Sequence, residues 1–232
     1  MSSVILYHNL YLGDNFICNG LVREYCKTHD RVAIFCYPAH YGTVSFMYRD
    51  LPNLTIIKGD DADAILYAFL NTFRRAYDEV KIVGMPYLDP YRDMKNLEHC
   101  EDQFYRLAGL DPKKKWESFR VERDRKREEE LFRRIDPPRD YAFLHDDFRY
   151  RIDRKRSGQL PAVSPAKEIT DNVFDYCLLI ERAKEVHVID SSFMYLVDLL
   201  PDFPQKLFVH RYARPNILWA LPTLRKNWTI LT

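Results

Sequence analysis

Two short segments carry residue types that could do chemistry on a polar substrate. The first is Asn9-Leu10-Tyr11-Leu12-Gly13-Asp14-Asn15, directly after an apolar run. Gly13 permits a tight turn. Asp14 would then project from the loop, where a carboxylate can act as general base toward an attacking hydroxyl. The same residues have a purely structural use, because Asp14 or Asn15 can cap a helix that begins near Phe16. The second segment is Val186-His187-Val188-Ile189-Asp190-Ser191-Ser192-Phe193-Met194, a strand running straight into a helix. Free amides at that helix start, two hydroxyls and the helix dipole make a place for a phosphate or pyrophosphate. Capping by Asp190 or Ser191 is compatible with that use.

Other polar clusters read less sharply. Asp61-Ala62-Asp63 has the spacing of a divalent-metal motif, but it stands where a helix begins and reads as a start signal. His145-Asp146-Asp147 ends a strand; one histidine and two adjacent carboxylates that point apart do not make three convergent ligands. Hydrogen bonding to a ribose or an acceptor hydroxyl suits that cluster better, and no metal is expected. His187, inside an apolar strand, reads as a satisfied core histidine. His210-Arg211-Tyr212-Ala213-Arg214 ends another strand, where Arg211 would either flank a bound nucleotide or sugar or sit on the surface. His40 and Tyr87 follow strands, where aromatic rings can stack on a ligand. With 7 glycines in the whole chain, the glycine-rich phosphate loops of nucleotide-binding proteins are absent.

Composition narrows the class. The 232 residues are 47% hydrophobic and 30% charged, enough to build a core and stay in water, which excludes disorder as the main state. No apolar run approaches the roughly 18–20 residues that cross a bilayer, and Met1–Asp14 lacks the pattern of a signal peptide. A cytoplasmic chain without a membrane span is therefore expected. Cys18, Cys26, Cys36, Cys100 and Cys177 form no C-x-x-C pair, and their odd number speaks against a disulfide framework. The net charge of +1 argues against a nucleic-acid partner. Between Lys113 and Arg156, however, stand 16 basic and 11 acidic residues. Such a surplus suits a small anionic group; a solvated helix face plus linker is the plainer reading of it.

The elements that would hold these residues alternate. Val4–Tyr7, Val32–Cys36, Leu54–Ile57 and Val80–Val83 read as short strands separated by helical stretches at Phe16–Lys27, Thr43–Asp50 and Ala64–Tyr77. Helices at Glu98–Leu107 and Val121–Ile135 follow, the second ending at Asp136-Pro137-Pro138. Strands at Tyr141–Leu144, Val186–Ile189, Lys206–His210 and Trp228–Leu231 then alternate with helices at Val173–Ala183, Ser192–Leu200 and Ile217–Ala220. Such alternation predicts parallel sheets with right-handed crossovers. The fold class is α/β: two small Rossmann-like domains, 1–112 and 139–232, facing each other across a cleft and joined by a charged helical linker, 113–138.

Taken together, the Gly13-Asp14 loop and the late run Ile189-Asp190-Ser191-Ser192-Phe193-Met194-Tyr195-Leu196-Val197 resemble the GT-B glycosyltransferases. They are most similar to the heptosyltransferase-like group, which pairs a Gly-Asp loop with a late Asp-Ser/Thr-Gly-x-x-His-Leu-Ala turn. Leu179-Ile180-Glu181-Arg182-Ala183 matches that group's Leu-Ile-x-x-Ala pattern. The resemblance covers roughly residues 4–30 and 141–200. It departs where Ser192 stands for the group's glycine and Tyr195 for its histidine, and it implies a minimal, compact version of the fold.

What the resemblance implies is specific. Asp14 takes the place of the catalytic base, with Gly13, Asn15, His40 and Tyr87 on the acceptor side. Asp190, Ser191, Ser192 and Phe193 form the turn that receives the donor's phosphates. The stretch from His145 through Asp147 to Arg154 lies where a basic residue is aimed at the pyrophosphate; Arg149, Arg151 and Arg154 are candidates, with Arg149 first, and Arg211 flanks the donor. The implied activity is inverting, metal-independent sugar transfer from a nucleotide-diphosphate donor, a UDP-sugar favoured, to a glycan hydroxyl, with no cofactor. A looser similarity, to the compact L-rhamnose-handling domain of a multidomain chlorovirus protein, implies UDP-L-rhamnose as donor and neighbouring domains of a larger polypeptide as partners. The rivals are a non-catalytic nucleotide- or glycan-binding module and an α/β transferase using another phosphorylated donor.

Overall fold

Val4-Ile5-Leu6 and Val32-Ala33-Ile34-Phe35 are apolar at consecutive positions, the pattern of strands covered on both faces, and all seven side chains are buried. In the computed structural model, which describes residues 1–84, 100–166, 168–201, 205–215 and 221–232, they form the inner strands of a parallel sheet. The chain divides into two units, Met1–Glu122 with Leu218–Pro222, and Arg123–Ile217 with Thr223–Thr232.

The first unit orders its strands β3-β2-β1-β4, from β1 (Ser3–Tyr7), β2 (Arg31–Cys36), β3 (Leu54–Lys58) and β4 (Glu79–Ile82). Every pairing is parallel, with Ile5 opposite both Ala33 and Val80. The helices are α1 (Leu12–Ile17), α2 (Asn19–Thr28), α3 (Tyr41–Met47), α4 (Asp61–Arg74), α5 (Cys100–Leu107) and α6 (Lys114–Glu117). The single helix read from Phe16 is two, and it starts four residues earlier, at Leu12. Tyr105, fully buried, bridges the break between them: its hydroxyl donates to the Ile17 carbonyl at 2.7 Å and accepts from the Leu21 amide at 3.2 Å. Gly20 makes this possible, since a Cβ there would overlap the Lys114 carbonyl. α4 starts at a capping box in which Asp60 accepts from the Asp63 amide at 2.9 Å and Asp63 from the Asp60 amide at 3.1 Å.

The second unit orders its strands β6-β5-β7-β8-β9, again all parallel, from β5 (Ala142–His145), β6 (Ala162–Val163), β7 (Glu185–Val188), β8 (Lys206–His210) and β9 (Trp228–Leu231). Its helices are α7 (Arg125–Ile135), α8 (Cys177–Arg182) and α9 (Ser192–Leu199). α7 begins at Asp124, whose side chain accepts from the Arg127 amide, and stops at Asp136 in the left-handed region (φ 46°), just before two prolines. It packs on α8, with Arg123 bridging Glu128 and Glu181 and Arg127 paired to Asp175 at 2.7 Å. The stretch read as a linker is thus divided between the units: α6 packs on α2, with Lys115 buried against Glu101 at 3.2 Å, and α7 belongs to the second unit. The helix read at Ile217–Ala220 lies outside the described residues.

α9 is secured at its far end. Asp198 accepts from the amides of Arg225 and Lys226, both at 3.0 Å, and from the Trp228 indole at 2.9 Å. The Lys226 ammonium donates to the carbonyls of Val197, Asp198 and Leu200, so a cation sits on the negative end of the helix.

Candidate active site

Open parallel sheets bind ligands beyond the carboxyl ends of their strands, where the strand order reverses. In the first unit the chain steps outward from β1 to β2 and β3, then returns to place β4 on the other side of β1, so the reversal lies between β1 and β4. The segment after β1 carries Asp14. It is half-buried in the first turn of α1, where Tyr11 holds the N-cap position without a side-chain bond, so neither Asp14 nor Asn15 is the cap. Burial pushes the Asp14 carboxyl up to about 7; the Asn9 side chain, hydrogen-bonded to it, pulls the other way, and the negative charge of Asp61 adds to the rise. The segment after β4 approaches closely. The Gly84 amide donates to the Tyr7 carbonyl at 3.0 Å, and a Cβ at Gly84 would stand 2.8 Å from Asn9 Oδ1. Gly84 therefore sets the place of Asn9, and Asn9 that of the Asp14 carboxylate.

A chain of phenols surrounds this point. Asp61 accepts from Tyr7 at 2.8 Å and from Tyr37 at 2.5 Å, and the Tyr37 hydroxyl is joined in turn by that of Tyr11. Tyr37 ionises far less readily than an ordinary tyrosine, first because its proton is held by Asp61 and second because it is desolvated. The ring of Tyr11 meets that of Tyr37 edge-on at 5.1 Å, and His40 meets Tyr37 in the same manner at 6.1 Å.

In the second unit the reversal lies between β5 and β7. His145, the last residue of β5, places Nδ1 3.1 Å from Ser191 Oγ, just past β7. Ser191 is the N-cap of α9 but makes no side-chain capping bond: its carbonyl accepts from the Met194 amide at 3.0 Å, and its hydroxyl takes none of the first amides of the helix. Arg211 and Arg214, after β8, converge on the same turn: Arg211 pairs with the buried Asp190 carboxylate, and Arg214 donates to the Asp190 carbonyl at 2.6 Å. Burial raises the Asp190 carboxyl, and both guanidiniums oppose that rise. Two cations, one carboxylate and a helix start make a net positive corner suited to an anion.

Beside this corner runs a one-directional hydrogen-bond chain. The Asp153 amide donates to the Tyr212 hydroxyl at 3.0 Å, which faces His210 Nδ1 at 3.0 Å. His210 Nε2 lies 2.9 Å from His187 Nδ1, and His187 Nε2 3.3 Å from Glu185. Two neutral imidazoles satisfy every link. Burial lowers both histidines, His210 to about 4, with His187 the next cause for His210.

Several sequence expectations change in detail. Gly13 is helical, and the turn is made by the residues before it; among the described residues only Gly109 and Gly158 are glycines with positive φ. Asn15 is not acceptor-side: it is fully buried and donates to the Tyr11 carbonyl at 2.9 Å, tying the loop. The Phe193 ring is core, 4.3 Å from the His145 ring, leaving only its amide at the helix start. Asp147 shapes its own loop by accepting from the amides of Arg149 (2.7 Å) and Tyr150 (2.9 Å). Arg149 is exposed against Phe148 and Tyr150, and Arg154 is exposed in a 3-10 turn. The guanidiniums that reach the β7–α9 turn are those of Arg211 and Arg214 instead. Ser192 stands half-buried as the first residue of α9. Tyr87 lies outside the described residues. The two metal-like motifs are engaged elsewhere: Asp61 by tyrosines, Asp63 in the capping box, and Asp146 by Arg151 at 3.1 Å and the Ile152 amide.

Asn9, Asp61, Gly84 and Arg214 were not singled out for these roles from sequence. Arg214 was accessible, since only Tyr212 and Ala213 separate it from Arg211 just beyond a strand. Asp61 was not, because its partners come from β1 and β2, far away in the chain.

No protein-family model matches this chain, and no curated protein matches it in sequence. Among solved structures its fold is similar to a glycosyl transferase family 9 protein from Veillonella parvula, with a TM-score of 0.54 and 8% identity over 90% of this chain and 80% of that one. It is likewise similar to E. coli ADP-heptose LPS heptosyltransferase II, with a TM-score of 0.53 and 9% identity over 90% of this chain and 84% of that one. At such identity the likeness is one of fold: two α/β units, each built on a parallel sheet. Among the described residues, no helix is long and apolar enough to cross a membrane, and no three His, Cys, Asp or Glu side chains are grouped to hold a metal ion.

Proposed function

We propose that this chain is an inverting glycosyltransferase that moves a sugar from a nucleotide diphosphate to a hydroxyl of a glycan. The observation that carries the reading is the opposite chemistry of the two reversal points: a carboxylate with the proton affinity of a neutral-pH base in one unit, a cationic helix start in the other. The fold likeness to two glycosyltransferases supports it. In this reading Asp14 takes the acceptor hydroxyl's proton as that oxygen bonds to the sugar's anomeric carbon. The bond from that carbon to the diphosphate breaks with its electron pair going to the phosphate oxygen. The α9 amides, Arg211 and Arg214 stabilise the departing charge, so arginine supplies the positive charge that a metal supplies in other transferases. Attack from the face opposite the leaving group inverts the anomeric centre.

UDP-L-rhamnose comes first as donor, on the resemblance to the chlorovirus domain; ADP-heptose, named in the E. coli structure, comes second. No cofactor beyond the donor is invoked, the cytoplasm is where we place the reaction, and neighbouring domains of a larger polypeptide are further partners. The module reading draws on Ser192 and Tyr195, which replace the glycine and histidine of the heptosyltransferase-like turn. A thermal-shift panel of UDP, ADP, GDP and their sugars, with and without EDTA, identifies the donor, because a ligand that binds only the folded state raises the melting temperature. Mass-spectrometric transfer assays then compare the native chain with Asp14→Asn. Loss of transfer with nucleotide affinity retained supports the enzyme; nucleotide binding without any transfer by the native chain supports the module; no nucleotide binding at all removes the reading.

A further inference from the structure

Tyr11 is unusual in being exposed and held still. The residue is 62% exposed. An exposed tyrosine ordinarily samples several rotamers, and stacking a ligand on it must then pay for ordering it. Here the ring is braced edge-on by Tyr37 at 5.1 Å, and the hydroxyl is joined to that of Tyr37. Asp61 is fixed from the other side by Tyr7, which is buried in the core. The exposed ring is thus tethered through three side chains to the central strand of the sheet, beside the point where the strand order reverses.

The surroundings define the ligand class. An aromatic face is electronegative and suits the C–H groups on the apolar face of a pyranose. Asp14 follows Tyr11 by three residues, and Asp61 lies behind it; carboxylates accept from pairs of sugar hydroxyls but repel other anions. Among the described residues, Lys58 at the end of β3 is spread over the Tyr41 ring at 3.9 Å.

We infer that Tyr11, braced by Tyr37 and bordered by Asp14 and Asp61, is a stacking platform for an uncharged pyranose ring, and that sugars bearing phosphate or carboxylate are turned away from it. Only the naming of that ring as the acceptor rests on the transferase reading; the platform itself does not.

Saturation-transfer-difference NMR on the full chain tests this with four probes: methyl α-L-rhamnopyranoside, methyl α-D-mannopyranoside, mannose 6-phosphate and methyl β-D-glucuronoside, each at about 10 mM. The two neutral glycosides should receive saturation, most strongly at ring C–H positions, and lose it in Tyr11→Ala; saturation of the two anionic probes, which the cationic corner of the second unit can hold, should be the same in the native chain and in Tyr11→Ala. Tyr11→Ala should weaken the neutral probes by about tenfold or more, while Tyr11→Phe, which keeps the ring and loses the tether, should fall between. Asp61→Asn, checked by its melting curve, should admit the glucuronoside. The inference is overturned if no neutral glycoside binds, if the saturation of mannose 6-phosphate falls in Tyr11→Ala as that of the mannoside does, or if Tyr11→Ala changes nothing. A parallel UDP titration keeps the outcomes separate, because a chain that binds the glycosides but no nucleotide loses its transferase reading and keeps this platform.

Discussion

His145 Nδ1 and Ser191 Oγ meet at 3.1 Å and join the ends of β5 and β7 where the strand order of the second unit reverses. The contact turns the Ser191 hydroxyl away from helix capping and leaves the Ser192 and Phe193 amides to whatever binds there, the Met194 amide being held by the Ser191 carbonyl. The affinity of the corner for an anion should then come from those amides and the two arginines. Arg214→Met is the clean variant, because Arg211 alone still neutralises the buried Asp190. It should weaken UDP binding by about tenfold and flatten its salt dependence, as read by calorimetry at two ionic strengths. Unchanged affinity would remove Arg214 from the site.

Gly84→Ala tests the contact that sets Asn9. The added methyl would meet Asn9 Oδ1 at 2.8 Å and the Asn9 amide nitrogen at 2.9 Å, closer than real Cβ contacts, so the loop after β1 must shift. Displacement of a positioned base by about 1 Å costs on the order of a hundredfold in turnover. The expected outcome is a fall in kcat with little change in donor KM. A variant with normal kcat would show that Asn9 does not position Asp14.

Asp14→Asn should abolish most transfer, by a factor of about 10² to 10⁴, and at the same time stabilise the fold at alkaline pH. The sign follows from proton uptake. With its carboxyl raised to about 7, the folded chain holds a proton between pH 4 and 7 that the unfolded chain has released, so stability falls as pH rises through that window. Removing the carboxylate should recover on the order of 2 kcal/mol at pH 8 and little at pH 4. Urea titrations at the two pH values read the difference directly.

His210 behaves in the opposite sense. Its folded value is lowered to about 4 and that of His187 is lowered too, so the unfolded chain takes up protons first as pH falls below about 6.5. The second unit should therefore lose stability between pH 6.5 and 4. Glu185 favours protonation of His187, while Arg154 and Arg156 oppose protonation of His187 and His210 respectively. A His210→Gln variant should show a shallower loss over the same range. An identical pH profile in native and variant chains would exclude this pair as the source.

Most strands were legible because they are apolar runs between turn signals, and Leu54–Ile57 and Lys206–His210 fall almost where the residues put them; the two-residue β6 is too short to stand out. Asp14 and the Ser191–Ser192 turn were legible because both follow a strand directly. The start of α1 was not, because Tyr11 caps it without a side-chain bond, so no Ser, Thr, Asp or Asn marks the true boundary. The role of Asp61 was hidden by its neighbours: Asp60 and Asp63 make the capping box, and the acidic run looked complete as a helix start. Arg149 was favoured over Arg151 and Arg154 because the resemblance places a basic residue in the stretch after β5, whereas the arginines that reach Asp190 follow β8, three strands later.

The amine of Lys226 has a bearing on how donor preference could be altered in the laboratory. α9 is eight residues long, about 12 Å, and its other end is pinned by that amine and by the Asp198–Trp228 contact. A rod so short pivots as one piece, and slackening at Arg225–Trp228 is delivered to Ser192 almost undiminished. Libraries aimed at new nucleotide sugars should accordingly randomise this remote hinge along with the strand ends.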